Sequence, residues 1–257
     1  MHKRGQVTVF VILGILIIAV LAIIFYLYGE KIKIPTQDQE FDFSKTEIVK
    51  NYIESCIEKA GNEALNLVGK QGGEVNPGFY QQYYGDKISY LCYTNSYSAC
   101  YNKKPFLKEF IEREINAYIK ERLISCLNLE DIKNQGYEIQ TGSLDVNTNL
   151  NLYNVLVEIN YPITIRGKSG QIVQLNKFIK TFNIPLGRLI KVAEDVVNNE
   201  IKSPRGLFFY QAYQLSQNGE IELTRNLWSN TEIYVTNLRN NDYKFQFAIQ
   251  NYVRAFP

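Results

Sequence analysis

From Val7 to Tyr28 the chain runs for 22 residues without a charge, VTVFVILGILIIAVLAIIFYLY, with Thr8 its one clearly polar side chain. At about 1.5 Å per residue such a run makes a helix ~33 Å long, the thickness of a bilayer's hydrocarbon core. Nothing else in the sequence restricts the chain so much, because a helix that is apolar on every side needs apolar surroundings along its whole length. His2, Lys3 and Arg4 precede it, and Phe25, Tyr26 and Tyr28 fall in its last turn, where aromatic rings favour the headgroup level. The expectation is a cytoplasmic leader over 1–6 and a transmembrane helix over 7–28, with membrane lipid as a partner. Lys3 and Arg4 on one side balance Lys31 and Lys33 on the other. Orientation therefore rests on layout: a short basic leader before an apolar run is the arrangement of a signal anchor, which exports the chain behind it. That reading gives a single-pass protein of the cell membrane with an extracellular C-terminal domain. Gly14, Ala19 and Ala22 are the small residues over which neighbouring helices can approach, so they mark the anchor and assembly face.

Residues 29–43 carry Pro35 and no helical period, which predicts a tether. Ser44 then opens a capping box with Glu47, and Val49, Ile53, Cys56, Ile57, Ala60, Ala64 and Val68 recur on one helical face. The spacing predicts a helix from about Lys45 to Val68, ended by Gly69 and the Gln71-Gly72-Gly73 run. Those glycines do not make a phosphate-cradling loop, since no strand precedes them and no Lys-Ser/Thr pair closes them. The Tyr-rich segment 74–102 reads as a small hairpin or an Ω-like loop. Pro105 suits the start of a second long helix, with Leu107, Phe110, Ile111, Ile115, Ile119, Leu123 and Cys126 on its stripe.

Four cysteines allow three pairings. Cys56 and Cys126 each lie on an apolar stripe and would face one another if the two helices pack, which leaves Cys92 and Cys100 as a local bridge. The long loop closed by Cys56–Cys126 contributes roughly 4 kcal/mol on the chain-entropy model. A zinc site is disfavoured because the spacings contain no CxxC pair and the single histidine is His2. The expected ectodomain therefore holds a helical, disulfide-bonded subdomain over 44–136.

From Tyr137 the period changes to two. Tyr153, Val155, Val157, Ile159, Tyr161, Ile163 and Ile165 alternate with mostly polar residues, and Ile172 to Ile184 returns after a Gly-flanked turn. Tyr137 to Val146 adds a third strand to that antiparallel sheet. Leu189, Val192, Ala193, Val196, Val197 and Ile201 predict a helix covering it. LFFYQAYQL from Leu207 is ambiguous between helix and strand, and Glu232–Leu238 with Tyr243–Ile249 reads as a C-terminal hairpin turned at Arg239-Asn240-Asn241-Asp242. The segment 137–257 is thus expected as a β-rich subdomain, and the whole as α+β: a transmembrane helix, two disulfide-linked helices, an antiparallel sheet with a covering helix, and a terminal β-hairpin.

Lys3-Arg4-Gly5-Gln6-Val7-Thr8, followed at once by the apolar run, resembles the class III signal peptide of archaeal type IV pilin-like proteins. The resemblance covers about ten residues. It implies cleavage between Gly5 and Gln6, and a mature helix that packs among copies in a filament core. Thr8 stands where that family usually has serine, and Phe10 where it usually has glutamate. The layout of Cys56, Gln71-Gly72-Gly73 and Cys126 also resembles single-pass proteins of small-genome archaea, a family that lends no activity.

Chemistry is sparse in this sequence. With its only histidine at position 2, the exported part has no His-based acid–base pair or triad. Glu112 with Glu114, and Glu194 with Asp195, fall on polar helix faces and read as solvated surface. Asp145-Val146-Asn147-Thr148-Asn149 opens like a calcium loop but lacks the turn glycine and late glutamate. A net charge of +2 without a basic motif gives no footprint for nucleic acid. The 19 Tyr and 14 Phe suit β-rich surfaces and subunit contacts, and equally a compositional habit. The expected function is a non-enzymatic, membrane-anchored cell-surface structural or assembly subunit without cofactor or metal, whose partners are copies of itself or other surface proteins. The alternative is a monomeric anchored binding domain, an adhesin or receptor.

Overall fold

The structure is a computed structural model, and it describes Ile17, residues 46–167, 170–204, Tyr213 and 218–251. Two long amphipathic helices form as their stripes require: α1 over Thr46–Lys70 and α2 over Leu107–Leu127, followed by the short α3 over Leu129–Asn134. Their apolar faces meet, burying Val49, Ile53, Cys56 and Ile57 of α1 with Ile111, Ile115, Ile119 and Leu123 of α2 in one core.

One side of that helical pair is covered by a four-stranded antiparallel sheet of β4 (Glu138–Thr141), β5 (Asp145–Leu150), β6 (Val155–Arg166) and β7 (Ile172–Phe182). Val155, Val157, Ile159, Ile163 and Ile165 of β6 all point into the core, as period-two alternation demands. β4 and β5 pair with the two halves of β6 on the same edge and are separated near Pro162. Pro162 has no N–H for the ladder, and its carbonyl accepts from Gly142 N at 2.7 Å. α1 approaches β7 so closely that a Cβ on Gly61 would stand 2.2 Å from Phe182 Cζ. Only a residue without a side chain fits there.

A second sheet gathers strands from both ends of the described chain: β1 (Tyr80–Tyr83), β2 (Asp86–Tyr93), β3 (Tyr101–Asn102), β8 (Ile221–Trp228), β9 (Thr231–Leu238) and β10 (Lys244–Gln250). Its order is β1-β2-β10-β9-β8, with β3 on β2. β9 and β10 form the expected hairpin, while β2 and β10 run parallel. Segments 44–136 and 137–257 therefore share one sheet, and residues from Asp42 onward cluster as one compact unit. The helix foreseen from Leu189 to Ile201 forms as α4, Leu186–Lys202. It packs on β9 and β10, not on the β4–β7 sheet whose inner face α1 and α2 already occupy.

The expected single-pass anchor is corrected here. Among the described residues no helix is long and apolar enough to cross a membrane, because α1 and α2 interleave charges such as Lys50, Glu58, Arg113 and Lys120 with their stripes. Val7–Tyr28 itself, apart from Ile17, lies outside the described residues, as do Gly5, Gln6, Gly14, Ala19, Ala22 and the run from Leu207 to Leu215 apart from Tyr213. The expected transmembrane element, with the lipid contact and the membrane-anchored, C-terminus-outside localisation that rest on it, is not supported by any helix among the described residues.

Candidate functional site

Both expected cysteine pairs form, the first from its place on the two stripes and the second as the pair left over. Cys56 and Cys126 join α1 to α2 with Cα atoms 5.8 Å apart, and Cys92 and Cys100 bridge β2 to the loop before β3 at 5.4 Å. The calcium-like segment does not form a loop: it is strand β5, with Val146 and Thr148 inward and Asp145, Asn147 and Asn149 exposed. The glutamates singled out on α2 act as clamps rather than as solvated surface. Glu112 Oε1 accepts from Leu150 N at 3.0 Å and Glu114 Oε2 from Val75 N at 2.9 Å. Asp195 accepts from the Tyr213 hydroxyl at 3.0 Å. Burial, and then the neighbouring Glu109 and Asp195, raise the Glu194 carboxyl above its ordinary range.

The six-stranded sheet has two unlike faces. One carries Leu91, Tyr234, Phe245, Phe247 and Ile249 into the helical core. Beneath α4 on that side sits a buried polar network. The Tyr234 hydroxyl donates to Glu200 Oε1 at 2.8 Å and lies 3.2 Å from Glu232 Oε2, and Arg225 pairs with Glu232. Asn251 donates to Glu200 Oε2 at 3.0 Å and accepts from Cys100 N at 2.6 Å. Burial first, then the charges of Glu200 and Glu232, push the Tyr234 phenol far up. The network joins α4, β8, β9, the residue after β10 and the Cys92–Cys100 loop. A readable signal for it lay in the sequence: Glu200 falls three and four residues after Val197 and Val196, on the apolar stripe itself.

The other face is concave. In a flat sheet β1 and β9 would lie about 14 Å apart, three strand spacings. Yet Thr231 Oγ1 of β9 is 3.3 Å from Gln81 Oε1 of β1 and 2.8 Å from the Tyr90 hydroxyl of β2. The sheet is coiled until its edges approach, and Ile88, Tyr90, Ile233 and Ala248 make a second small core inside the curl. At the open end the outermost strands meet through their rings: Tyr83 of β1 lies 5.2 Å from Trp228 of β8, edge to face, and Tyr84 lies 5.3 Å from Trp228. Phe79 packs on Tyr90 and Tyr93 at 4.9 and 4.8 Å.

Tyr84 is the unusual member. The β1–β2 hairpin turns on Tyr84-Gly85 with both φ positive, +44° and +93°, a geometry that favours Asn-Gly or Asp-Gly. The left-handed pair Asn218-Gly219 has that chemistry. Tyr84 does not, and its side chain is 80% exposed. The Tyr-rich composition hinted at such a surface, but nothing in the sequence said that strands more than a hundred residues apart would bring Tyr83, Tyr84 and Trp228 together.

A second concavity, of about 380 Å³, lies beside the Cys56–Cys126 bridge and is lined by both cysteines with Lys59, Ala60, Glu63, Arg122 and Ser125. No protein-family model, curated protein or solved structure matches this chain.

Proposed function

We propose that this chain is a non-enzymatic binding and assembly module, stapled by two disulfides, that joins copies of itself through the aromatic cluster at the open end of the curled sheet. The observation that carries this reading is Tyr84. A bulky L residue held in left-handed backbone costs on the order of 1 kcal/mol, and here that cost places a ring in solvent against Trp228 instead of burying it. Strain of that kind is retained where the side chain is used. Rigid aromatic rings are the side chains that concentrate binding energy at the centre of interfaces. The outer edge of β8 pairs with no strand among the described residues and can accept a strand from a second copy. The clamping roles of Glu112, Glu114 and Asp195 support a scaffold rather than a reacting centre.

Tyr84→Asn tests the reading, because it separates folding from binding. Asn suits the turn, so the variant melts at an equal or higher temperature, gaining up to about 1 kcal/mol. Self-association measured by sedimentation equilibrium weakens at least about tenfold. A variant that associates as well as the parent removes the aromatic cluster from the interface. A parent chain that stays monomeric at every concentration leaves the monomeric binding domain, with another protein as its partner, as the better reading.

A further inference from the structure

We propose that the Cys56–Cys126 bridge is a thiol-exchange site for small anionic thiols, while the Cys92–Cys100 bridge is closed to them. Access separates the two. Cys92 and Cys100 are 0% and 2% exposed, and the backbone of Cys100 is held by Asn251 inside the polar network. Cys126 is half-buried, and together with Cys56 it lines the open cleft between α1 and α2. At about 380 Å³ that cleft has the size of a small-molecule site.

Charge favours an anionic visitor. The charged side chains lining the cleft are Lys59, Arg122 and Glu63, a net charge of plus one. Lys59 stands three residues after Cys56 and Arg122 four residues before Cys126, the spacings that put helical side chains on one face. Arg122 Nε lies 3.8 Å from Glu63 Oε2 and donates to the Tyr118 hydroxyl at 3.0 Å. Lys59 makes no ion pair among the described residues.

Exchange needs a path to one sulfur, an attacking thiolate and a leaving sulfur that bears negative charge. The thiolate of the incoming molecule attacks Cys126 Sγ, the more accessible of the two. The bond to Cys56 Sγ breaks, and its electron pair leaves on Cys56 as a thiolate, one helical turn from Lys59. One disulfide is lost and a mixed disulfide gained, one thiolate is consumed and one formed, and no other oxidant or reductant is required. The return attack by Cys56 expels the visitor and restores the bridge. While the adduct lasts, α1 and α2 are tied only by their packing.

The test uses the full folded chain with glutathione as the anionic probe and 2-mercaptoethanol as a neutral one, followed by alkylation and peptide mapping without reduction. The expected result is a glutathione adduct on Cys126, a free Cys56 trapped by the alkylating agent, and Cys92–Cys100 intact. An adduct that appears first on Cys92 or Cys100, or only after denaturant is added, overturns the proposal. In Lys59→Gln and Arg122→Gln, both exposed positions, the rate with glutathione falls about threefold or more, whereas the rate with 2-mercaptoethanol is unchanged. Equal slowing with both probes overturns the electrostatic part.

Discussion

The two sheets of this protein start from the same physical rule and use their second faces in opposite ways. The β4–β7 sheet buries one face on α1 and α2 and leaves the other largely polar, with Asp145, Asn147 and Asn149 exposed on β5, Glu158 paired to Lys177 at 3.1 Å across β6 and β7, and Ile179 an exposed apolar exception. Its β7 edge carries Lys177 and Lys180, charges that discourage another strand from adding there. The six-stranded sheet buries one face under α1 and α4, and then coils its other face around Ile88, Tyr90, Ile233 and Ala248. An alternating sheet with polar outer residues can stay open to water. One whose outer residues are tyrosines and branched aliphatics must curl, be covered or associate. The second sheet curls and leaves Tyr84 and Trp228 at the rim.

Alkali should divide the two sheets most sharply. The Tyr243 phenol, raised far above its usual value by burial alone, donates to Leu65 O at 2.7 Å. Tyr234 is raised by burial, Glu200 and Glu232. A phenol with a raised folded pKa stays protonated in the fold while the unfolded chain ionises near pH 10. Its contribution is therefore complete below about pH 10 and is lost as pH climbs from there toward the folded value. Hydrogen exchange followed through alkaline titration should show β9 and β10 losing protection before β5 and β6, and Tyr243→Phe should move that loss to higher pH. Simultaneous loss across both sheets would mean that the contrast has no energetic content.

A smaller effect is expected at the seam of the curl. Tyr90→Phe removes the hydroxyl that meets Thr231 at 2.8 Å and donates to Gln81 at 3.1 Å, so denaturant unfolding should show a loss of about 1–2 kcal/mol. An unchanged midpoint would show that the rings, not the hydrogen bonds, close the sheet. The smallest effect belongs to the polar outer face, where Asn147→Ala should stay within about 0.5 kcal/mol of the parent. A larger loss by the same measurement would mean that this face is covered in the working protein.

What could be read from residues alone was whatever repeats locally. The stripes of α1, α2 and α4, the strict alternation of β6, the β9–β10 hairpin and the Cys56–Cys126 pairing follow from periods of 3.6 and 2 and from cysteines placed on apolar stripes, and the Cys92–Cys100 pairing then follows by elimination. At Asp145 to Asn149 carboxylates and amides spaced by two suit a calcium loop and the outer face of a strand alike; the missing turn glycine and late glutamate argued against the loop, and the residues form β5. The same reasoning took the apolar run at Val7–Tyr28, from its length and its flanking residues, for a membrane anchor, and no helix among the described residues is long and apolar enough to cross a membrane. The pairing of β2 with β10 lay beyond sequence, because two strands some 150 residues apart in the chain carry no mark of one another until the core has assembled. The choice of β9 and β10 as the sheet under α4, the buried meeting of Glu200, Tyr234, Glu232 and Arg225, and the approach of Tyr83 and Tyr84 to Trp228 were likewise decided only in three dimensions. A sequence fixes which face of each element avoids water. Which other face it meets is settled by the packing of all of them at once.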